Sequence, residues 1–278
     1  MELASYVLAS HDHAAHLRTD PVEADAWITV GRGRVRIADG QVHRGSSSAG
    51  GAEVFLGVVD GVRIAASVVD RIEPADEAID LRASFGVLDR EAIGLAAHGV
   101  AMARWIEATK FCSRCGHGLT LIKGGHILTC EGCTTEHYPR TDSAVIMALT
   151  DDDDRLLLAR NSAWPAGMMS VLAGFVEPGE SLEDAVRREI LEEVGIRADE
   201  VTYVGSQPWP FPSSIMLGFA ARTSQTEITV DTSEIAEARW FTREELRKAV
   251  VEDGSWVPPR GISISTHLIE RWYGGPVA

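Results

Sequence analysis

The chain reads as an α/β protein: an α/β/α sandwich with a mixed sheet, preceded by a small cysteine-rich ribbon and a mixed β N-terminal segment. Three observations predict this. Residues 140–278 alternate strand-like apolar runs with helical periodicity. Residues 109–139 hold all four cysteines. The stretch Gly174 to Ile196, GFVEPGESLEDAVRREILEEVGI, joins a glycine-bounded loop to an acidic amphipathic helix. The expected divisions are therefore 1–108, 109–139 and 140–278.

Bulk properties narrow the function classes. The 278 residues are 45% hydrophobic and 24% charged, as in globular proteins. No apolar run approaches the ~18 residues of a membrane span. The N-terminus MELASYVLASHDHAAHL lacks a basic start followed by an apolar core, so no signal peptide is expected and the location is read as cytoplasmic. The net charge of −15 argues against broad binding to nucleic acid or anionic membrane.

In the first segment, VFLGVV (54–59), Asp60-Gly61 and VRIAAS (62–67) predict a hairpin. Arg44 to Ala52, RGSSSAGGA, reads as a flexible loop. Asp89 caps a helix carrying Ile93, Ala97, Val100 and Ile106 at helical spacing up to Ala108. Next, Cys112-x2-Cys115-x14-Cys130-x2-Cys133 has the spacing of a Cys₄ zinc site. LTLI, Gly124-Gly125 and HILT between the knuckles predict a short hairpin, giving a zinc ribbon. Two disulfides or a redox role are the alternatives. Four thiolates would close the tetrahedron, so Zn²⁺ there is structural.

The last segment predicts strands at SAVIMAL, RLLLAR, SVLAGF, VTYVGS, SIMLGFAAR and ARWF, a helix near 242–250 and another near 264–272. Asp151 to Asp154 reads as a solvated hairpin turn. Within the acidic stretch, Gly174 and Gly179 bracket a loop ending at Glu180, Ser181 is an N-cap and Gly195 a C-terminal stop, so the helix spans about 182–194. At roughly 100° per residue, Leu182, Val186, Ile190 and Val194 form an apolar stripe. Glu189, Glu192 and Glu193 overlap its edge rather than the far solvated face. Carboxylates at i, i+3 and i+4 repel one another, and hard cations such as Mg²⁺ or Mn²⁺ require such oxygen clusters. Arg188 and Glu180 are placed to fix loop and helix together. The plain alternative is a solvated helix face with ordinary charge pairs.

These residues, in the order G-x5-E-x7-R-E-I-x-E-E-x-G-I, resemble the Nudix box of diphosphate-cleaving hydrolases. Ser206-Gln207-Pro208-Trp209-Pro210-Phe211-Pro212, beginning ten residues after Ile196, is similar to the specificity signature of the NADH pyrophosphatase branch of that family. The order N-terminal domain, zinc ribbon, Tyr138-Pro139-Arg140, Nudix domain matches it too. The resemblance implies a Nudix α/β/α sandwich and hydrolysis of NAD(H) to NMN(H) and AMP, with NAD-cap removal from RNA 5′ ends in some members. It also implies homodimers whose active site the partner subunit completes. It makes Glu189 and Glu193 ligands of Mg²⁺ or Mn²⁺, with Glu234 a further ligand and Ala173 a carbonyl ligand. Glu237 is the nearby alternative to Glu234. Gln207, Pro208, Trp209, Pro210, Phe211, Pro212, Ser213 and Ser214 match the substrate-binding loop. Tyr138 matches an aromatic that reaches the substrate from the partner chain, opposite Phe175. Ser265 aligns with a backbone contact, and Arg82 with a substrate-contacting arginine.

The chemistry expected is metal-assisted attack of water on the pyrophosphate, with Glu189, Glu192, Glu193 and Arg188 as the catalytic set and Glu192 or Glu193 as candidate base. Rival functions are decapping of NAD-capped RNA as the main task, hydrolysis of another nucleotide diphosphate such as ADP-ribose, and a non-catalytic nucleic-acid-binding regulator. The last would lack box carboxylates, and none is missing.

Overall fold

A computed structural model of the chain describes residues 11–73, 76–252, 256 and 263–277. The first ten residues, on which part of the leader reading rests, lie outside these. The chain divides into two compact units: Leu8–Thr141 with Trp209–Ser213, and Asp142–Pro208 with Ser214–Ala278.

In the first unit the strands are β1 (Ala26–Gly31), β2 (Arg34–Ala38), β3 (Gln41–Val42), β4 (Ala52–Val59), β5 (Val62–Val68) and β6 (Ala78–Asp80). They form a mixed sheet in the order β3-β2-β1-β5-β4, with β6 on β2 and β1 parallel to β5. The β4–β5 hairpin turns at Asp60 and Gly61, both with positive φ as a type I′ turn needs. A one-turn helix α1 (Leu81–Ser84) precedes α2 (Arg90–Ala108), which Asp89 caps by accepting from the Ala92 N–H. Helix α2 buries Ile93, Ala97, Val100 and Ala103 and packs on β1 and β4. The serine-rich loop is pinned: the Ala49 N–H donates to the Ser67 hydroxyl, and Gly45 bridges Trp27. The ribbon is β7 (Leu119–Ile122), β8 (Ile127–Cys130) and β9 (Glu136–His137). Its hairpin tip is tied down by Asp20, whose carboxylate accepts from the Lys123 and Gly124 N–H groups.

The second unit holds β10 (Asp142–Thr150), β11 (Leu156–Asn161), β12 (Leu172–Phe175), α3 (Leu182–Val194), β13 (Glu200–Trp209), β14 (Ser214–Arg222), β15 (Ile235–Phe241), α4 (Arg243–Val251) and α5 (Ile264–Tyr273). The sheet order is β13-β14-β10-β11-β15, with β12 on β10; β10 runs parallel to β14 and antiparallel to β12. Alternation along β10 explains the sandwich. Val145, Met147 and Leu149 pack with Val186, Ile190 and Val194 of α3. Ile146 and Ala148 pack with Leu246 of α4 and Leu268 and Ile269 of α5. One helix thus covers one face and two cover the other, which gives the α/β/α sandwich that the sequence predicts.

One turn differs from expectation. Of the four aspartates between β10 and β11, Asp151 is buried rather than solvated. Its carboxylate accepts from the Arg155 backbone N–H (2.9 Å) and side chain (2.7 Å), so the turn is closed by an internal ion pair. Among the described residues no helix is long and apolar enough to cross a membrane.

Candidate active site and metal centres

Helix α3 begins where Ser181 accepts from the Asp184 N–H, and ends at Gly195 in the left-handed conformation. Val186, Ile190 and Val194 are fully buried. At about 1.5–3 kcal/mol each, that burial more than offsets the ~1–3 kcal/mol of one unpaired polar group. The helix can therefore carry carboxylates at the edge of its buried stripe. Glu189 and Glu193 are only 9% and 8% exposed, whereas Glu192 is exposed.

Arg188 is the hub. Its Nε and Nη2 donate to the two oxygens of Glu180 (2.8 and 2.9 Å). Nη1 donates to Glu189 (2.8 Å) and Glu192 (2.9 Å), and Nη2 also to the Phe175 carbonyl (2.8 Å). One guanidinium thus ties the loop, β12 and α3 together, as its planar fork allows. The Arg188 hydrogen bond, with that from the Glu177 N–H, pulls Glu180 below the usual carboxylate range. Burial raises Glu189 despite Arg188. Burial, then the charges of Glu189, Glu234 and Glu192, push Glu193 up to about 8.

Glu234 is brought in from the segment before β15. The Asp231 N–H donates to the Glu193 carbonyl (3.1 Å), and the Glu234 carbonyl accepts from the Ser162 N–H (2.8 Å). Its charge acts on both buried glutamates. Ala173 lies on β12 opposite Ile146. Beside it, Gly174 differs from the sequence reading. It makes room rather than serving backbone conformation: a Cβ there would overlap the Glu189 carboxylate, which would have to move. Only Gly179 of the two loop glycines has positive φ.

The carboxylates fit a divalent cation. Glu193 Oε2 is buried with no hydrogen-bond partner among the described residues. An orphaned carboxyl oxygen amid three other carboxylates is a ligand atom without a partner, and hard oxygen donors suit Mg²⁺ or Mn²⁺.

The proline-rich segment divides its labour. Gln207 is fully buried, and its Oε1 accepts from the Ile264 N–H at the start of α5 (2.9 Å). Ser265 is also buried, with its hydroxyl 2.6 Å from that of Ser170. Pro208 and Pro212 are exposed, Pro210 and Ser214 buried, and Ser213 half-buried. Trp209 and Phe211 meet edge to face at 5.0 Å and remain half-buried. The Arg82 guanidinium lies over both rings, 4.7 Å from Phe211 and 5.5 Å from Trp209. Two partners have no sequence signature. Phe85 stacks on Trp209 at 5.9 Å, and Arg104 lies over Phe211 at 5.2 Å while donating to the Pro210 carbonyl. Tyr138 and Phe175 are 59% and 60% exposed, so neither ring is consumed by its own core; the Tyr138 hydroxyl donates to Glu136.

The four cysteines are free thiols converging on one point. Sulfur separations of 3.3, 3.3 and 3.7 Å exclude disulfide bonds. They approach the about 3.8 Å edge of a tetrahedron with Zn–S near 2.3 Å. Hydrogen bonds from the Thr135 side chain and backbone pull the Cys133 thiol down to about 6, toward the thiolate that a metal needs. The set fits structural Zn²⁺, and His137 Nε2 lies 3.4 Å from Cys112 Sγ as a supporting partner.

Residues 139–259 match the NUDIX domain, and residues 107–138 match the NADH pyrophosphatase zinc ribbon domain. The chain is 38% identical to proteins named NAD-capped RNA hydrolase NudC from Mycobacterium bovis and Mycobacterium tuberculosis, covering 94% of this chain and 92% of each relative. It is 40% identical to human NAD-capped RNA hydrolase NUDT12 over 66% of this chain and 42% of that protein. A solved NUDIX hydrolase from Nitrosomonas europaea aligns over 60% of this chain and 94% of its own, with 25% identity and a TM-score of 0.47.

Proposed function

Because this chain belongs to the Nudix hydrolase family, in its NADH pyrophosphatase branch, we propose that it hydrolyses the pyrophosphate of NAD(H) to NMN(H) and AMP. The observation that carries the reading is the buried, unpartnered Glu193 carboxylate among Glu189, Glu192 and Glu234. Glu189, Glu193, Glu234 and the Ala173 carbonyl would hold Mg²⁺ or Mn²⁺. When bound, such cations supply Lewis-acid polarisation of the pyrophosphate and screening of its charge.

The protein's own part is positioning. Water adds to one phosphorus, the bridging oxygen leaves with the other, and the proton of the water passes to a carboxylate of the cluster. Glu192 and Glu193 are the two candidates, to be separated by their Gln variants. Arg188 holds Glu189 and Glu192 in place and anchors the Glu180 loop. Trp209 and Phe211, backed by Arg82, offer flat surfaces to a base or nicotinamide ring, a contact worth about 1–3 kcal/mol. Phe175 offers a further exposed ring. We read Tyr138 as serving the partner's site in a homodimer, and the enzyme as cytoplasmic.

NAD-cap removal from RNA is the second reading, favoured by the names of the relatives. It needs the same chemistry, but a net charge of −15 disfavours the phosphate backbone as a source of affinity. Mass spectrometry after incubation with NADH and Mg²⁺ in H₂¹⁸O, with an EDTA control, tests the main reading. The expected result is cation-dependent NMNH plus AMP with ¹⁸O in one of them. Cleavage of NAD-capped RNA without cleavage of NADH would replace it with the second.

A further inference from the structure

Three histidines that serve neither the carboxylates nor the cysteines come together in the N-terminal unit. His11, His13 and His98 each present a ring nitrogen, and the three atoms lie within 4.8 Å of one another. We propose that they form a further metal site, binding one divalent transition-metal ion of the imidazole-preferring class, such as Zn²⁺, Ni²⁺ or Co²⁺.

The site is assembled from three elements. His11 and His13 alternate with Asp12, which pairs with Val58 through both backbone groups (3.2 and 2.7 Å). With an i, i+2 spacing on extended backbone, the two rings fall on the same side; they stack at 4.9 Å. His98 comes from α2, and its ring lies 4.6 Å from His13 and 5.2 Å from His11. The third element is the β-bulge at Phe55–Gly57 in β4. Gly57 has φ +141°, and a Cβ there would overlap the Asp12 carbonyl and come within 2.9 Å of the His11 ring. The bulge and its glycine therefore make the space in which His11 is seated.

The hydrogen bonds suit ligation. The Leu56 carbonyl can only accept, so the 3.1 Å contact fixes a proton on His11 Nε2 and leaves the Nδ1 lone pair free. A backbone carbonyl holding the second ring N–H is the usual support of a metal-bound imidazole. His98 Nδ1 lies 3.1 Å from the same nitrogen, so this edge of the His98 ring faces the other histidines. His126 closes the inner side, its Nε2 donating to the Phe55 carbonyl at 2.7 Å. His13 is exposed, which gives an ion access from solvent. Nothing in the pyrophosphate chemistry requires this set, so the proposal stands apart from the hydrolase reading.

The test uses the full zinc-loaded chain in excess Mg²⁺, which fills the carboxylate cluster with a hard ion. Co²⁺ is titrated in while heat and visible absorption are recorded. The expected result is one Co²⁺ per chain with ligand-field bands of nitrogen donors. His13→Ala, whose exposed ring carries no core packing, should weaken that event by at least about 10–100-fold, as should His98→Ala. His43→Ala, in the same unit, should leave it unchanged. The proposal is overturned if the wild-type chain takes up no Co²⁺ under these conditions. Equal uptake by His13→Ala, or equal loss in His43→Ala, would overturn it too.

Discussion

The cysteine ribbon and the α3 carboxylates are both ligand sets, built on opposite plans. The thiols sit on two knuckles of a small three-stranded sheet and converge to 3.3–3.7 Å. Such a set is closed: four soft ligands satisfy the ion and leave no position for substrate. The glutamates sit on one long helix over a large core, and an arginine already occupies several of their oxygens. One of them is left buried and unmatched. A small sheet with four converging thiols is the kind of segment that metal binding folds, whereas α3 is held by its own apolar core.

Glu193→Gln breaks the comparison most sharply. It should lower kcat by about 10²–10³, the usual loss for a key electrostatic group, with an unchanged far-UV circular dichroism spectrum. Near-native turnover would sink the carboxylate model of the site. Cys112→Ser should do the reverse. It should release zinc and lower Tm by about 6–12 °C if ~3 kcal/mol is lost, while turnover per folded molecule persists in the cold. A zinc-free variant with wild-type Tm and activity would contradict the structural role.

Gly174→Ala asks whether the helix is as tolerant as this contrast implies. The new methyl displaces the Glu189 carboxylate, so divalent-cation affinity should fall about tenfold, with ~1–3 kcal/mol of overpacking. Smaller still is a pH effect. Glu193 is raised from the ordinary range to about 8, so the folded state binds its proton more tightly than the unfolded state. The stability it contributes is full below about pH 4.5 and is lost as pH rises through about 8. The cation-free Tm should therefore decline across that window, and Glu193→Gln should flatten the decline. An identical pH profile in the variant would show that the burial is relieved some other way. Last, Arg82→Ala removes cation–π contacts worth about 0.5–1 kcal/mol. It should raise KM for NADH about two- to fivefold with kcat kept, as measured by steady-state kinetics.

What was legible in the sequence was local. The bounds of α3, its Ser181 cap and Gly195 stop follow from spacing alone, and the structure places them as read. The partnership of Arg188 with Glu180 was legible for the same reason: loop and helix are contiguous. The reason for Gly174 was not, because it depends on Glu189 arriving from fifteen residues away. Phe85 and Arg104 carry no motif, and they meet Trp209 and Phe211 only through the fold. Asp151 looked like its three neighbours in a run of identical letters, until Arg155 folded back over it. His98 reaches the His11-x-His13 pair only through the fold, so no spacing announces the trio.

The buried amide of Gln207 gives the proline-rich segment a double inheritance. Its bond to the Ile264 N–H serves the start of a helix, while Trp209 and Phe211, a few letters later, stay half-open. In a deep mutational scan these letters should part company: changes at Gln207 would track with protein abundance, and changes at the rings with turnover per molecule. A signature that looks like one block of recognition is then held in place by two selective pressures, one set by protein quality control and the other by substrate.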